Sequence, residues 1–147
     1  MDWNADILSI LLAIVCGAAI GLERELKHKP AGLRTNVLIC LGAALFTIIS
    51  SKMAGDKESI TRIAAQIVTG VGFLGAGAVI QDRGGIHGLT TAATIWLVAS
   101  IGMACGAGFY YLAIVTTVLA IIVLLGLAQV DKRLRPNQDE NKTKSKQ

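Results

Sequence analysis

The chain has 147 residues, of which 53% are apolar and 16 are glycine, and its 14 Lys and Arg against 10 Asp and Glu give a formal charge of +4. The charges are unevenly spread, since none occurs in residues 35–51, 63–81 or 84–130. Uncharged stretches of this length are typical of helices that cross a lipid bilayer. The composition argues against a soluble enzyme, a disordered chain and a nucleic-acid-binding module, because too few polar residues are present to form a water-facing surface.

The apolar pattern predicts five transmembrane helices, each close to the roughly 20 residues that a bilayer crossing requires. The long uncharged stretch after residue 84 exceeds one crossing, and Gly106, Ala107 and Gly108 interrupt it where a tight reversal belongs. It therefore predicts a helical hairpin. The predicted helices cover residues 5–22, 36–51, 63–81, 89–105 and 109–130.

The flanking charges predict an orientation, because loops kept in the cytoplasm are enriched in Lys and Arg. Eleven of the 14 basic residues fall after predicted helices one, three and five, and three fall after helix two. The N-terminus is therefore predicted outside and the C-terminus in the cytoplasm. The first segment has Asp2 and Asp6 and no basic residue, which favours a permanent helix over a cleaved signal. The prediction is an all-α polytopic membrane protein, with a membrane domain at residues 1–130 and a polar, basic cytoplasmic tail at residues 131–147.

Glycines recur inside the predicted helices. Residues 70–75 have the spacing of a dinucleotide-binding loop, but that motif requires the strand-to-helix turn of a soluble βαβ unit, and here it lies inside an apolar segment. Glycines four residues apart instead allow two helix backbones to approach closely. Helix packing is the prediction, and a flexing point in helix three is the alternative. The predicted packing residues are Gly17, Gly21, Gly70, Gly72, Gly75, Gly77, Gly102 and Gly106.

The potentially reactive side chains favour a structural role. Cys16, Cys40 and Cys105 lie inside predicted helices without C-x-x-C spacing, so we interpret them as small buried apolar residues. His28 and His87 lie in predicted cytoplasmic loops, where a solvated role is favoured. The sequence has no zinc-protease, serine-hydrolase or P-loop motif. We expect a protein that is not an enzyme and has no resident cofactor.

Polar residues at the membrane boundary are the main functional candidates, because charge near hydrocarbon is costly and tends to mark a pathway or a partner. Glu23 and Asp82 are candidate ligands for a hydrated Mg²⁺ ion, which binds carboxylates through its waters. The alternative is that the charged residues anchor helices at lipid headgroups and the threonines bond to their own helix. The predicted cytoplasmic group contains Glu23, Arg24, Glu25, Arg34, Asn36, Asp82, Arg83, Thr90, Thr91 and Thr94.

A second polar group begins at the opposite face of the membrane. Arg62 opens predicted helix three there, about 30 Å from Asp82 at about 1.5 Å per residue. Gln66 and Thr69 follow Arg62 at helical spacing, and Thr90 and Thr94 extend a matching stripe from the other side. Two polar stripes are therefore predicted to approach the middle of helices three and four.

Five linked motifs closely resemble the MgtC/SapB family of small bacterial inner-membrane proteins, over about residues 5–125. The motifs are GLERE at 21–25, AGLRT at 31–35, RIAAQ at 62–66, GFLGAG at 72–77 and GLTTAATIW at 88–96. The resemblance implies a multi-pass protein of the bacterial plasma membrane, linked in some members to growth at low magnesium, survival inside host cells and restraint of the F-type ATP synthase. Longer members continue into an ACT-like domain, so the sequence resembles a short member. The matched polar residues are Glu23, Arg24, Arg34, Thr35, Arg62, Gln66, Thr90, Thr91 and Thr94.

Two mechanisms follow from these observations. In the first, the protein self-associates through its glycine-rich faces and docks to another inner-membrane complex, such as the F-type ATP synthase or a magnesium transporter. In the second, it is a transporter or channel, and the polar stripes of helices three and four conduct a cation or a small solute. We favour the regulatory mechanism, because a transport site usually needs more polarity at mid-membrane than these helices carry. The expected partners are lipid and protein, without nucleic acid.

Overall fold

The computed structural model describes the backbone of residues 3–53, 57–82 and 85–134 and the side chains of residues 3–53, 62–79 and 85–127. The prediction of an all-α fold with five helices is confirmed. A short antiparallel hairpin, which the sequence analysis does not predict, joins the third and fourth helices. The elements are α1 (Trp3–Leu26), α2 (Leu33–Met53), α3 (Lys57–Gly77), β1 (Ile80–Asp82), β2 (Gly85–His87), α4 (Leu89–Gly106) and α5 (Tyr110–Leu134).

The described helices have the dimensions of a membrane protein. Four of them are long and apolar enough to cross a bilayer, at Trp3–Leu26, Leu33–Met53, Leu89–Gly106 and Tyr110–Leu127. α3 has 21 residues, and about 1.5 Å per residue makes it about as long as the hydrocarbon core is thick. Its crossing, the orientation of the chain and the division at residue 130 stay predictions.

The connection from α3 to α4 differs from the predicted helix end. α3 ends at Gly77 and not at Gln81, and Ile80 pairs with His87 in the hairpin. Gly88 follows with a φ of 89°, a left-handed conformation that glycine adopts without steric cost. The prediction that helix three extends to residue 81, next to Asp82, is therefore wrong, and Asp82 is the last residue of β1. The side chains of Asp82 and Arg83 lie outside the described residues.

Close contacts at small residues hold the centre of the bundle together. α1 crosses α2 at Gly17 and Gly21, where an added Cβ would lie 2.9 Å from the Asn36 carbonyl oxygen and 2.8 Å from the Leu33 Cα. Gly102 and Gly106 bring α4 even closer to α2, because an added Cβ would overlap the carbonyl oxygens of Cys40 and Ala44. Four of the predicted packing glycines thus lie at helix crossings around α2. The three cysteines are buried in this core and form no disulfide.

The glycines of α3 are placed differently. A Cβ at Gly70, Gly72 or Gly77 would meet nothing within 4 Å, and one at Gly75 would make only ordinary contact with Ala92 of α4. α3 lies against α4 and α2 at the edge of the bundle. Its glycines therefore create free space along α3 and do not bring it close to another helix of the described chain.

We expect Gly102→Ala to destabilise the bundle, because its new methyl group overlaps the Cys40 carbonyl oxygen. The free energy of unfolding in mixed micelles should fall by about 1–3 kcal/mol, the usual cost of overpacking. Gly126→Ala on α5 is the matched control, because a Cβ there meets nothing within 4 Å. Equal effects of the two substitutions on unfolding would show that α4 does not contact α2 closely.

Candidate functional site: a polar junction at the α1–α2 loop

The loop of residues 27–32 forms a defined structure over the ends of α1 and α2. The Lys29 N–H donates to the Arg24 carbonyl oxygen and the His28 N–H donates to that of Glu25, both at 3.0 Å. His28 has a φ of 52°, so α1 ends in a Schellman motif with a residue other than glycine in the left-handed position. The Glu25 carboxylate accepts from the Leu33 N–H at 3.0 Å and caps α2.

Arg24 lies at the centre of this junction. Its side chain is buried, with only 4% of the residue exposed. Nη2 donates to Oγ1 of Thr91 at 2.6 Å and to the carbonyl oxygen of Pro30 at 3.2 Å. One guanidinium group therefore joins α1, the loop and α4. The neighbouring carboxylate of Glu23 offsets part of the cost of burying this charge.

Asn36 holds the same loop from the side of α2. It is fully buried, and its Nδ2 donates to the carbonyl oxygens of Ala31 and, at 2.9 Å, Gly32. Together Arg24 and Asn36 bind three consecutive loop carbonyls. The predicted cytoplasmic group includes Asn36, but the residues matched to the family do not. Its importance comes from its position opposite Gly17 and Gly21, which becomes visible only when α1 and α2 are packed.

Glu23 forms an ion pair at the contact between α1 and α5. Its Oε1 lies 2.8 Å from Lys27 Nζ, which also donates to the Leu124 carbonyl oxygen at 3.4 Å. The Glu23 side chain is only 8% exposed, and its Oε2 has no hydrogen-bond partner among the described residues. Among the residues that the structure describes, no three His, Cys, Asp or Glu side chains come together as a metal site. Mg²⁺ binding by Glu23 and Asp82 stays a prediction.

The remaining predicted site residues with described side chains do not gather at one place. Thr94 is buried and donates to the Thr90 carbonyl oxygen at 2.8 Å, so it bonds to its own helix. Of the predicted cytoplasmic group, the structure brings Arg24 and Thr91 into direct contact. The exposed residues are Arg34 and Thr35 on α2, Thr90 on α4, and Arg62 and Gln66 on α3.

Sequence reasoning missed a second polar junction, at the opposite end of the bundle. There Asp6 of α1 pairs with Lys52 of α2, and Nζ of Lys52 lies 5.9 Å from the centroid of the Trp3 ring. Tyr110 of α5 donates to the Ala5 carbonyl oxygen at 3.2 Å. The only sequence signal for this junction was the opposite charges of Asp6 and Lys52 on one predicted face of the membrane. Both ends of the bundle are thus held by polar contacts.

Comparison with known proteins shows extensive similarity. The sequence profile of the MgtC family matches residues 10–133. Over 132 residues the chain is 50% identical to an Escherichia coli K12 protein named "Putative magnesium transporter YhiD", covering 85% of this chain and 61% of the relative. It is 50% identical over 111 residues to Protein MgtC of Brucella abortus strain 2308 and 44% identical over 128 residues to Protein MgtC of Salmonella typhimurium.

The Brucella alignment covers 76% of this chain and 46% of the relative, and the Salmonella alignment covers 87% and 54%. The chain therefore spans about half to three-fifths of the length of these curated relatives. No solved structure matches the chain significantly.

We expect Arg24→Gln to lower the folded fraction of the protein, because it leaves the Pro30 carbonyl and the Thr91 hydroxyl without their shared donor. The loss should be about 1–3 kcal/mol in the free energy of unfolding. Arg34→Gln is the control, because Arg34 is exposed at the start of α2. A double-mutant cycle with Thr91→Val should give a coupling of at least about 0.5 kcal/mol between the two positions. Additive effects would contradict a direct interaction.

Proposed function

Because the chain belongs to the MgtC family, we propose that it is a regulatory protein of the bacterial plasma membrane that docks its helices against another membrane complex. The processes proposed for it are magnesium homeostasis, membrane energetics and, in a pathogen, virulence. It acts by binding, without catalysis or a resident cofactor. Candidate complexes are the F-type ATP synthase and a magnesium transporter.

The exposed face of α3 is the observation that carries this proposal. Ala65, Thr69, Gly72 and Ala76 recur at helical spacing and are all exposed. Small residues four apart are the usual contact surface between transmembrane helices, because they allow close van der Waals packing where no hydrophobic driving force exists. In the described chain the Gly72 position meets nothing within 4 Å. The face is therefore available to a helix of another copy or of another protein.

The apolar core of the bundle favours docking to a partner protein over conduction of an ion. The core between α1, α2 and α4 consists of small and apolar side chains, among them Ala13, Cys40, Ala44 and Val98. The buried hydroxyls of Thr47, Thr94 and Thr117 each donate to a carbonyl of their own helix at 2.8 Å. These hydroxyls lie among apolar side chains, and the described core contains no Asp or Glu that could bind a cation stripped of its water.

The docking proposal is tested by photocrosslinking in living cells. A benzophenone amino acid at Ala76 should give protein adducts, whereas the same probe at Leu119, exposed on α5, should label lipid. Gly72→Ile should abolish the Ala76 adducts without changing membrane abundance, because the branched side chain fills the contact surface. Mass spectrometry of the adducts identifies the partner. Adducts formed only with the chain itself would contradict docking to a different complex.

Transport is the second candidate function, because the Escherichia coli relative is named for magnesium transport and Gln66 lies exposed one turn after Arg62 on α3. A pathway lined by this stripe would have to form between copies of the chain. Under the docking proposal, proteoliposomes that contain the purified chain should take up no more Mg²⁺ than empty vesicles. Uptake above that level, lost in Gln66→Leu and kept in Thr35→Val, would establish transport and overturn the docking proposal.

A further inference from the structure

An apolar groove runs between α2 and α3. Its volume is about 560 Å³, and its walls include Leu38, Gly42 and Phe46 on α2 and Gln66, Gly70 and Leu74 on α3. Leu38 is 66% exposed and Phe46 is 59% exposed, so the groove opens towards the surroundings of the bundle. It lies on a different side of α3 from the small-residue face of Ala65, Thr69, Gly72 and Ala76.

Two glycines create the groove. A Cβ at Gly42 or at Gly70 would meet nothing within 4 Å, in contrast to the overlaps at Gly17 and Gly102. An empty space beside these residues would forfeit dispersion contacts along both walls. In a bilayer the groove must therefore hold either part of a lipid or part of another protein.

The width of the groove favours a lipid chain over a helix. From Ile63 to Leu74 the wall of α3 is about 16 Å long, at about 1.5 Å per residue. Spread over that length, the volume corresponds to a channel narrower than an α-helix with side chains, whose diameter is about 10–12 Å. One extended hydrocarbon chain fits such a channel, whereas a helix does not enter it.

The polar groups along α3 follow the order of the parts of a phospholipid. Arg62 is exposed at the start of this stretch, and its guanidinium can bind phosphate oxygens through paired N–H groups. Gln66 lies about 6 Å further along the helix and lines the groove, where its amide can donate to an ester carbonyl. Beyond Gln66 the walls are apolar as far as Leu74. The sequence of charge, amide and apolar surface matches phosphate, ester and acyl chain.

From this arrangement we infer that the groove between α2 and α3 binds one anionic phospholipid. Arg62 binds the phosphate, the Gln66 amide donates to an acyl ester, and one acyl chain lies over Gly42 and Gly70. The lipid fills the gap between α3 and α2 and so supports α3 from the side. This binding is independent of the docking proposal, which concerns the opposite side of α3.

The experiment is native mass spectrometry of the purified full chain, titrated with dioleoyl phosphatidylglycerol or dioleoyl phosphatidylcholine. The wild type should bind one phosphatidylglycerol in preference to phosphatidylcholine. The double substitution Gly42→Leu/Gly70→Leu should abolish this binding, because the leucines occupy the channel. Gly126→Leu is the matched control, because Gly126 is an equally open glycine on α5. It should bind lipid as the wild type does.

Arg62→Gln provides a second test that leaves the groove intact. It should weaken binding of phosphatidylglycerol about tenfold, the equivalent of one charge-assisted hydrogen bond, and remove the preference over phosphatidylcholine. Arg34→Gln, at an exposed arginine of α2, should change neither property. Equal binding of the two lipids by the wild type would overturn the inference. The inference would also be overturned if Gly42→Leu/Gly70→Leu bound lipid as the wild type does. The same holds if this double substitution removed a dimer of the chain and not a bound lipid.

Discussion

The close approach of three helix backbones is the constraint on which the rest of the structure depends. Lipid tails are as apolar as leucine, so burial of apolar side chains cannot drive helices together inside a bilayer. Van der Waals contact must do so, and it is greatest where side chains are smallest. Gly17 and Gly21 of α1, and Gly102 and Gly106 of α4, bring both helices against the backbone of α2. The polar junction follows from this packing, because it places Thr91 within reach of Arg24.

The glycines of α3 have a different role from the glycines of α1 and α4. α1 and α4 use glycine to approach α2 closely, whereas space remains around most of the glycines of α3. Its outer face is suited to a helix of another protein, and its groove with α2 is suited to an acyl chain. A firmly packed unit of α1, α2 and α4 therefore carries a peripheral helix with two unfilled surfaces. This division fits a protein that recognises partners within the membrane.

Much of the fold could be predicted from the sequence, because the long runs of uncharged residues mark the transmembrane helices more clearly than any other pattern in the chain. The reversal at residues 106–108 was predictable as well, and Gly108 has a φ of 81°. The end of α3 was not, because residues 78–81 continue the uncharged run while Gly77 already ends the helix. Hydropathy cannot distinguish a strand of three residues from a last helical turn.

The site was predictable only in part. Residue type and position relative to the membrane boundary placed Arg24 and Thr91 in one group, and these two side chains are in contact. Spacing could not show that Arg34 and Thr35 face outward, or that Asn36 binds the loop, because these facts depend on how α2 rotates against α1. Nor could the repeated glycine spacing distinguish the pairs that pack inside the chain from the glycines of α3 that do not.

Solid-state NMR in lipid bilayers tests the packing at the centre of this account most directly. With ¹³C at the glycine Cα atoms and at the cysteine carbonyl carbons, the account predicts a through-space cross-peak between Gly102 Cα and the Cys40 carbonyl. This cross-peak would report the backbone contact between α4 and α2. Its absence, in spectra where cross-peaks between nearby labelled atoms within one helix are strong, would place the two helices too far apart and contradict the account.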